Sequence, residues 1–270
     1  MIGRAHRSAG LILAMASLCL ATNIAAAQGE ARSIERTRDS FERSAAKIQI
    51  THQDTDRPLT RKLEPVLNWS NPERKTIVGV LYLWTLDARP QVAMCMFPSS
   101  SDSYDIECQS LSESPLSARE DGMIIWQPAE AGIRWQELEA GKTAGKTPAA
   151  RLIQMRQLAR EFSAKLVLDD KADKQLRLQT TPVYRYDSQR LPDGIIDGSV
   201  FTFVQGTDPE VLLLLEAYET EQPEKETVAW RYALARMTMV ATEVSYRSNS
   251  IWKTQWARQG ISSPYNSINR

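Results

Sequence analysis

Hydrophobic positions recur along the chain with two different periods, and the period predicts which segments are helices and which are strands. In residues 30–49, apolar residues seven, four and three apart interrupt polar and charged sequence, which predicts an exposed helix. Residues 148–166 carry a continuous apolar face behind Thr147, a helix-capping residue, and Pro148, a proline at the first helical position. This segment is the clearest predicted helix. Residues 51–62 show no period and are interpreted as a linker.

Most of the remaining apolar residues alternate with polar ones or form short β-prone runs. Residues 76–84 and 91–97 flank a short polar connection and predict a hairpin, and residues 106–111 predict the next strand. Residues 199–240 predict a meander, in which the Gly-Thr-Asp-Pro sequence at 206–209 forms a turn. The sequence therefore predicts an α+β domain: an antiparallel β-sheet (a meander) packed on one long helix, with an extra N-terminal helix.

The N-terminal segment has the pattern of a secretory signal. Arg4 and Arg7 precede an apolar run over residues 9–21, and small residues lead to an Ala-x-Ala cleavage site that ends at Ala27. The run is too short to span a bilayer and no second run approaches about 18 residues, so no transmembrane segment is expected in the mature chain. We therefore expect an exported protein that is periplasmic or extracellular after cleavage near Ala27.

These patterns divide the chain into four parts. Cys19 would be the acceptor residue of a lipoprotein signal, but Leu18 is larger than the small residue that such processing uses, so simple cleavage is favoured. The predicted parts are a signal peptide (1–27), an N-terminal helix and linker (28–62), an α+β domain (63–258) and a C-terminal tail (259–270).

Cleavage would also change the chemistry that remains. The loss of Arg4 and Arg7 leaves 31 basic against 33 acidic residues, a net charge of about −2. Such a chain lacks the basic stripe that nucleic-acid binding needs, so no nucleic-acid partner is expected. A single histidine, His52, would remain, which argues against Ser–His or Cys–His catalysis. One histidine and two cysteines do not make a zinc site, and we expect neither a metal nor a cofactor.

The two remaining cysteines, Cys95 and Cys108, lie on consecutive predicted strands. A register that places Phe97 opposite Ile106 also places Cys95 opposite Cys108. An oxidising compartment permits a bridge, so the sequence predicts a disulfide between them. The alternative is two small apolar residues on a core face.

The candidate catalytic residues are carboxylates, because glycoside hydrolysis needs only two of them. Asp208 and Glu210 lie at the predicted turn, and Glu216 lies within an apolar strand. A buried Glu216 must be paired or protonated, and Arg236 on the next strand is the predicted partner. A structural cross-strand pair is favoured over a catalytic acid.

Several segments together resemble a family of exported bacterial proteins from planctomycete-type genomes that has no assigned function. The resemblance covers residues 64–254, and its most specific parts are the Gly-Thr-Asp-Pro-Glu turn and the Tyr-Arg-Tyr run. It implies the extent of the domain and export, and it brings no catalytic residues. The segments are NWSNPERKTIVGVLYLW with TLDARP, PAARLIQMRQLAREFSAKL, QTTPVYRYD, GSVFTFVQGTDPEVLLLLEAY and WRYALARMTMVA.

The predicted function is that of an exported, non-enzymatic binding or interaction protein whose partner is a protein, a small molecule or a glycan. The alternative is a carboxylate-based hydrolase of envelope polymers or sugars, which would need two carboxyl groups about 5–10 Å apart in an open cleft. Arginine and aromatic side chains favour interfaces. The candidate ligand-binding residues are therefore Trp84, Arg89, Tyr184, Arg185 and Arg236.

Overall fold

The computed structural model describes residues 28–100, 102–138, 143–169, 171–220 and 227–270, so the predicted signal peptide lies outside the described residues. The chain divides into two compact units, Met1–Arg43 and Ser44–Arg270. Strand accounts for 51% of the chain and helix for 15%. Neither helix in the described part of the chain has the length and apolar character needed to cross a bilayer.

The secondary structure consists of two α-helices, one short 3₁₀ helix and eighteen strands among the described residues. Helix α1 covers residues 28–47 and helix α2 covers Pro148–Ala159, and the 3₁₀ helix is Pro72–Arg74. The strands are β1 (Ile48–His52), β2 (Thr60–Arg61), β3 (Leu67–Asn71), β4 (Thr76–Leu86), β5 (Arg89–Pro98), β6 (Tyr104–Ser110), β7 (Leu116–Glu120), β8 (Met123–Trp126), β9 (Gln136–Glu137), β10 (Phe162–Leu166), β11 (Lys174–Gln175), β12 (Arg177–Arg185), β13 (Ile195–Gln205), β14 (Asp208–Thr220), β15 (Thr227–Arg236), β16 (Thr242–Tyr246), β17 (Asn249–Thr254) and β18 (Tyr265–Asn269).

The strands form four sheets. The six-stranded sheet has the order β18-β6-β5-β4-β2, and β3 also pairs with β4; the five-stranded sheet has the order β12-β13-β14-β15-β9. A four-stranded sheet has the order β11-β10-β16-β17, and a three-stranded sheet the order β1-β7-β8. All strand pairings among the described residues are antiparallel.

The five-stranded sheet is buried on both faces. On one face, Leu212 and Leu214 of β14 pack in a core shared with Leu81 and Leu83 of the six-stranded sheet. On the other face, the intervening residues of β14 pack in a second core with helix α2 and strand β10. Because successive side chains of a strand point to opposite faces, a strand covered on both sides is apolar throughout. This explains the continuous apolar run 211–215.

The prediction of one antiparallel sheet on one long helix is wrong, because the chain is mostly β and its two largest sheets pack on each other. Helix α2 begins as predicted, with the Thr147 side chain accepting a hydrogen bond from Ala150 N and Pro148 at its start. It ends at Ala159, and residues 162–166 of the predicted helix form β10. Phe162, Ala164 and Leu166 alternate as buried residues, a period of two that the helical period had concealed.

The segment interpreted as a linker contains paired strands. Residues Ile48–His52 form β1 against β7, and a turn closed by His52 N to Arg57 O leads back to β2. Residues Tyr265–Asn269 of the predicted tail form β18 at the edge of the six-stranded sheet. Short strands of this kind give no period long enough to recognise in the sequence.

The predicted disulfide between Cys95 and Cys108 is wrong, and both cysteines are free and buried. In the observed register Cys95 lies opposite Glu107, and Cys108 lies opposite Met94. A register shift of one residue moves a side chain to the other face of a sheet. The two sulfur atoms therefore lie on opposite faces of the six-stranded sheet. Burial raises the pKa of both thiols, which makes them unreactive.

Candidate functional site

Three of the buried carboxylates of the five-stranded sheet lie on β14, and each is paired with an arginine from outside that sheet. Asp208 and Glu210 begin the strand, and Glu216 lies further along it. A register shift interrupts the alternation of β14 between Pro209 and Val211. The three predicted catalytic candidates thus lie on one strand but in two separate clusters.

The Glu216 cluster consists of Glu216, Arg89, Arg231, Tyr186 and Trp135. The Glu216 side chain is 0% exposed, and Arg89 donates from Nε to Oε1 at 2.7 Å and from Nη2 to Oε2 at 3.2 Å. Arg231 lies within 2.7 Å of Oε2 through Nη2 and donates to it from Nε at 2.9 Å. Tyr186 donates its hydroxyl to Oε1 at 3.1 Å. Both carboxylate oxygens are therefore fully occupied.

Two guanidinium groups in this cluster share one aromatic ring. Arg89 and Arg231 lie 4.9 and 4.7 Å from the centroid of the Trp135 ring, a cation–π geometry. Burial lowers the pKa of Arg89, but the Glu216 carboxylate raises it further, so the net shift is upward. Because arginine and tyrosine donors occupy both oxygens of Glu216, neither oxygen is free to contact a substrate, so Glu216 is no longer a candidate general acid.

The predicted pairing of Glu216 with Arg236 is wrong in its partner. The register of β14 with β15 places Glu216 opposite Arg231 and Arg236 opposite Val211. The sequence showed that a buried Glu216 needs an arginine, but only the register shows which arginine lies beside it. Arg89 comes from the neighbouring sheet, 127 positions earlier in the chain.

The Arg74 cluster has the opposite charge balance and consists of Arg74, Asp208, Glu210, Asn71 and Glu107. Arg74 lies 3.2 Å from Asp208 through Nη1 and 2.7 Å from Glu210 through Nη2. Asn71 donates from Nδ2 to Asp208 at 3.0 Å. One guanidinium group therefore serves two carboxylates. Arg74 is 39% exposed, whereas Asp208 is 8% and Glu210 0% exposed.

Burial raises the pKa of Asp208 and of Glu210, and Arg74 offsets only part of this effect. Glu107, on β6, accepts a hydrogen bond from the Tyr265 hydroxyl at 2.6 Å. Burial raises the pKa of Glu107 to about 8, and the charges of Asp208 and Glu210 add to the rise. Glu210 Oε2 has no hydrogen-bond partner among the described residues. This cluster can therefore hold protons near neutral pH.

A third cluster fastens helix α2 to the five-stranded sheet. Asp197 accepts from Arg151 Nε at 2.9 Å and from Arg185 Nη2 at 2.8 Å. Arg185, a candidate ligand-binding residue, also donates to the Pro148 carbonyl at 2.7 Å. These contacts join the first turn of the helix to β12 and β13, which gives Arg185 a structural role.

A cavity of about 430 Å³ beside β15 carries charged side chains of one sign only, and it shares wall residues with a cavity of about 230 Å³. We call the two together the arginine cleft. Residues common to both cavities include Arg134 and Trp252, and none of the described residues that line either is an aspartate or a glutamate. The charged and aromatic residues of the cleft are Arg134, Arg236, Arg258, Tyr232, Trp252 and Tyr265.

Arg236 is held in the cleft wall by main-chain oxygens. Its Nε and Nη2 donate to four carbonyl groups at 2.8 to 3.1 Å, and its guanidinium lies 5.4 Å from the centroid of the Tyr265 ring. Burial lowers the pKa of Arg236. The four acceptors carry no formal charge, so the positive charge of Arg236 is not neutralised by them. They are the carbonyls of Thr238, Met239, Val240 and Gln255.

The remaining candidate ligand-binding residues lie elsewhere. Trp84 is 1% exposed, so it belongs to the core and not to a surface. Tyr184 is 9% exposed and donates its hydroxyl to the Ala88 carbonyl at 2.9 Å, at the wall of a cavity of about 870 Å³ that carries both acidic and basic residues. Of the five candidates, only Arg236 lines the arginine cleft.

Sequence reasoning missed Arg134, Arg258 and Trp252, which line the cleft, and Arg74, which holds the two carboxylates. Arg134 and Trp252 lie 118 positions apart in the numbering, and no spacing rule joins them. Arg74 ends the 3₁₀ helix that Pro72 begins and Asn71 caps, and this sequence is a local signal for a turn but not for a site. No group of three or more His, Cys, Asp or Glu side chains in the described residues could hold a metal ion.

Comparisons with known proteins add no identity: no family model, no curated protein and no solved structure matches this chain.

Proposed function

We propose that the protein is an exported, non-enzymatic binding protein whose ligand lies in the arginine cleft. The observation that carries this proposal is the cleft itself: a cavity of about 430 Å³ with three arginines and no acid among its described lining residues. That volume is within the range of about 300–1,000 Å³ that small-molecule sites occupy. Both oxygens of Glu216 already accept hydrogen bonds from arginines, so this acid is not free to act on a substrate. This favours binding over catalysis.

Export is the part of this proposal that rests on the N-terminal sequence. The basic start, the short apolar run and the site at Ala27 are the supporting features. N-terminal sequencing of the protein recovered outside the cytoplasm should begin at Gln28. A product that keeps residues 1–27 would contradict cleavage.

Binding is tested by thermal unfolding of the purified chain with a panel of neutral sugars, anionic sugars, peptides and nucleotides. A ligand at a hundredfold excess over its Kd should raise Tm by about 5 °C. The shift should disappear in Trp252→Ala and persist in Arg160→Ala, which removes an exposed arginine at the end of helix α2. A panel in which no class raises Tm, or in which Trp252→Ala keeps the shift, would remove the cleft as the site.

The second candidate function is a carboxylate-based hydrolase that uses Asp208 and Glu210. The observation in its favour is that burial raises the pKa of both acids, as the proton donor of a glycosidase requires. Hydrolysis of nitrophenyl glycosides that Asp208→Asn and Glu210→Gln each abolish would establish it. Equal rates in the parent and in both variants would exclude it.

A further inference from the structure

The charge of the arginine cleft defines the class of ligand that fits it. Arg134 and Arg258 are exposed and have no ion-pair partner among the described residues, and Arg236 is bonded to carbonyl oxygens alone. The charge of Glu107 acts to raise the pKa of Arg236. Glu107 itself accepts a hydrogen bond from the Tyr265 hydroxyl beside the cleft. Three positive charges thus meet around one cavity without a carboxylate in its wall, which favours an anion.

The geometry of Arg236 leaves donors for that anion. All its hydrogen bonds within the described residues use Nε and Nη2, so Nη1 remains for a ligand. The four carbonyls hold the guanidinium before any ligand arrives, and a group fixed in advance loses less entropy on binding. The N–H donors of Nη1 belong to a charged guanidinium, and charged donors form strong hydrogen bonds with oxyanions.

The other walls of the cleft match a ring that carries hydroxyl groups. Trp252 is half-buried and borders both cavities, so part of its ring is open to a ligand. Gln136 accepts the Tyr232 hydroxyl on Oε1 at 2.5 Å, which leaves its amide N–H groups for another partner, and Gln109 and Ser263 also line the cavity. An aromatic face beside several polar side chains is suited to a sugar ring, which has apolar C–H faces and hydroxyl edges.

We propose that the ligand is an anionic sugar: a carbohydrate ring that carries a carboxylate, sulfate or phosphate group. The oxyanion lies among Arg134, Arg236 and Arg258, and the ring lies against Trp252. The inference rests on the proposed binding function and names the class of ligand for the same cleft.

The experiment is titration calorimetry of the full chain at low salt with glucuronate, glucose 6-phosphate, glucose and inorganic phosphate. We expect at least one of the two anionic sugars to bind at least tenfold more tightly than glucose and at least tenfold more tightly than inorganic phosphate. Raising the salt concentration should weaken this binding, because the attraction between ligand and guanidinium groups is screened. The comparison of glucuronate with glucose 6-phosphate identifies the source of the charge.

Substitutions in the cleft test where the anionic group and the sugar ring of the ligand bind. The double variant Arg134→Ala/Arg258→Ala should weaken binding of the anionic sugar at least tenfold, and both positions are exposed, so folding should not change. Trp252→Ala should weaken the anionic sugar at least fivefold and leave inorganic phosphate unchanged. Arg160→Ala, a loss of the same charge outside the cleft, should bind like the parent chain.

Three results would overturn the inference. Equal affinity for glucose and for both anionic sugars would remove the charge requirement, and equal affinity for inorganic phosphate and for both anionic sugars would remove the ring. Absence of binding by both anionic sugars would overturn the whole inference. If a neutral peptide or neutral sugar then raises Tm and needs Trp252, the binding function stands and only the ligand class fails; if no panel member binds, both fail.

Discussion

Strand β14 supplies acids to both the Glu216 cluster and the Arg74 cluster, yet the two clusters have opposite ratios of acid to arginine. Glu216 is one carboxylate between two arginines, whereas Arg74 is one arginine between two carboxylates. Glu210 and Glu216 are six residues apart, about 20 Å along an extended strand. Glu210 and Glu216 are both 0% exposed, so the difference between these two acids comes from their partners and not from the depth of burial.

The two clusters differ in how the free-energy cost of burying an acid is offset. Glu216 accepts hydrogen bonds from two guanidinium groups and a tyrosine, and these bonds offset the free-energy cost of removing its carboxylate from water. Glu210 has the same exposure, 0%, but it shares Arg74 with Asp208 and has only Thr238 as a further side-chain partner among the described residues. The pKa of Glu210 therefore rises, and protonation becomes the way to relieve the cost of burial.

The largest effect is expected from Glu216→Gln. The change leaves Arg89 and Arg231, which are 18% and 22% exposed, without a counter-charge in the sheet. The free energy of unfolding should fall by about 3–5 kcal/mol, as when one member of a buried ion pair is removed. Urea denaturation measures it. Glu113→Gln is the control, because it removes a 54% exposed acid that lies 3.5 Å from the same Arg89. This change should lower the free energy of unfolding by less than about 1 kcal/mol. Equal losses in the two variants would contradict the role of burial.

The next effect is expected from Arg74→Met, and its size should depend on pH. Without Arg74 the pKa of Asp208 and of Glu210 rises further, so the folded state keeps protons that the unfolded state releases. Stability is then present at low pH and is lost as pH rises, so the variant should be about 2–3 kcal/mol less stable than the parent at pH 8 and close to it at pH 5.

Lys75→Met is the matched control for this variant, because Lys75 is the exposed neighbouring cation and has no ion pair among the described residues. Urea denaturation at both pH values should give equal stabilities for Lys75→Met and the parent chain. A deficit of Arg74→Met that does not change with pH would show that packing, and not charge, is the contribution of Arg74.

A smaller effect of the opposite sign is expected from Glu107→Gln. The pKa of Glu107 is raised from 4.5 to about 8, so the unfolded chain releases this proton at lower pH than the folded chain, and the stability of the parent falls as pH rises from about 5 to about 8. Gln keeps an oxygen for the Tyr265 hydroxyl and carries no charge. The variant should gain about 2 kcal/mol on the parent between pH 5 and pH 9 in unfolding experiments. Parallel pH profiles would show that Glu107 is not protonated in the folded state.

The smallest effect is expected from Tyr186→Phe. The change removes one hydroxyl donor from Glu216 while the four contacts from Arg89 and Arg231 remain. Loss of one hydrogen bond among several should cost about 1 kcal/mol in urea denaturation. A loss as large as that of Glu216→Gln would mean that the tyrosine, and not the arginines, holds the acid.

Sequence patterns predicted the elements better than their partners. The start of helix α2 followed from Thr147 and Pro148, because caps are local chemistry. The end of that helix did not, because Phe162 and Leu166 satisfy a helical period and a strand period alike. A local pattern indicates the secondary structure of a segment but not which segments it contacts, so these patterns did not predict that two sheets pack on each other.

The residues of the candidate site were likewise easier to predict than their partners. The need of Glu216 for an arginine followed from its apolar surroundings, but the identity of that arginine depends on the β14–β15 register and on a strand from another sheet. A one-residue error in the β5–β6 register was enough to predict a disulfide that does not exist. Charge balance within a cleft depends on tertiary proximity, which no spacing in the sequence contains.

The positions of Cys95 and Cys108 have a practical consequence. Two buried thiols on opposite faces of a sheet need no oxidant to reach the folded state, and they are closed to labelling reagents. A cysteine introduced by Ala131→Cys, at an exposed position of the cleft, would then be the one reactive thiol among the described residues. A fluorophore attached there would make occupancy of the cleft visible in real time.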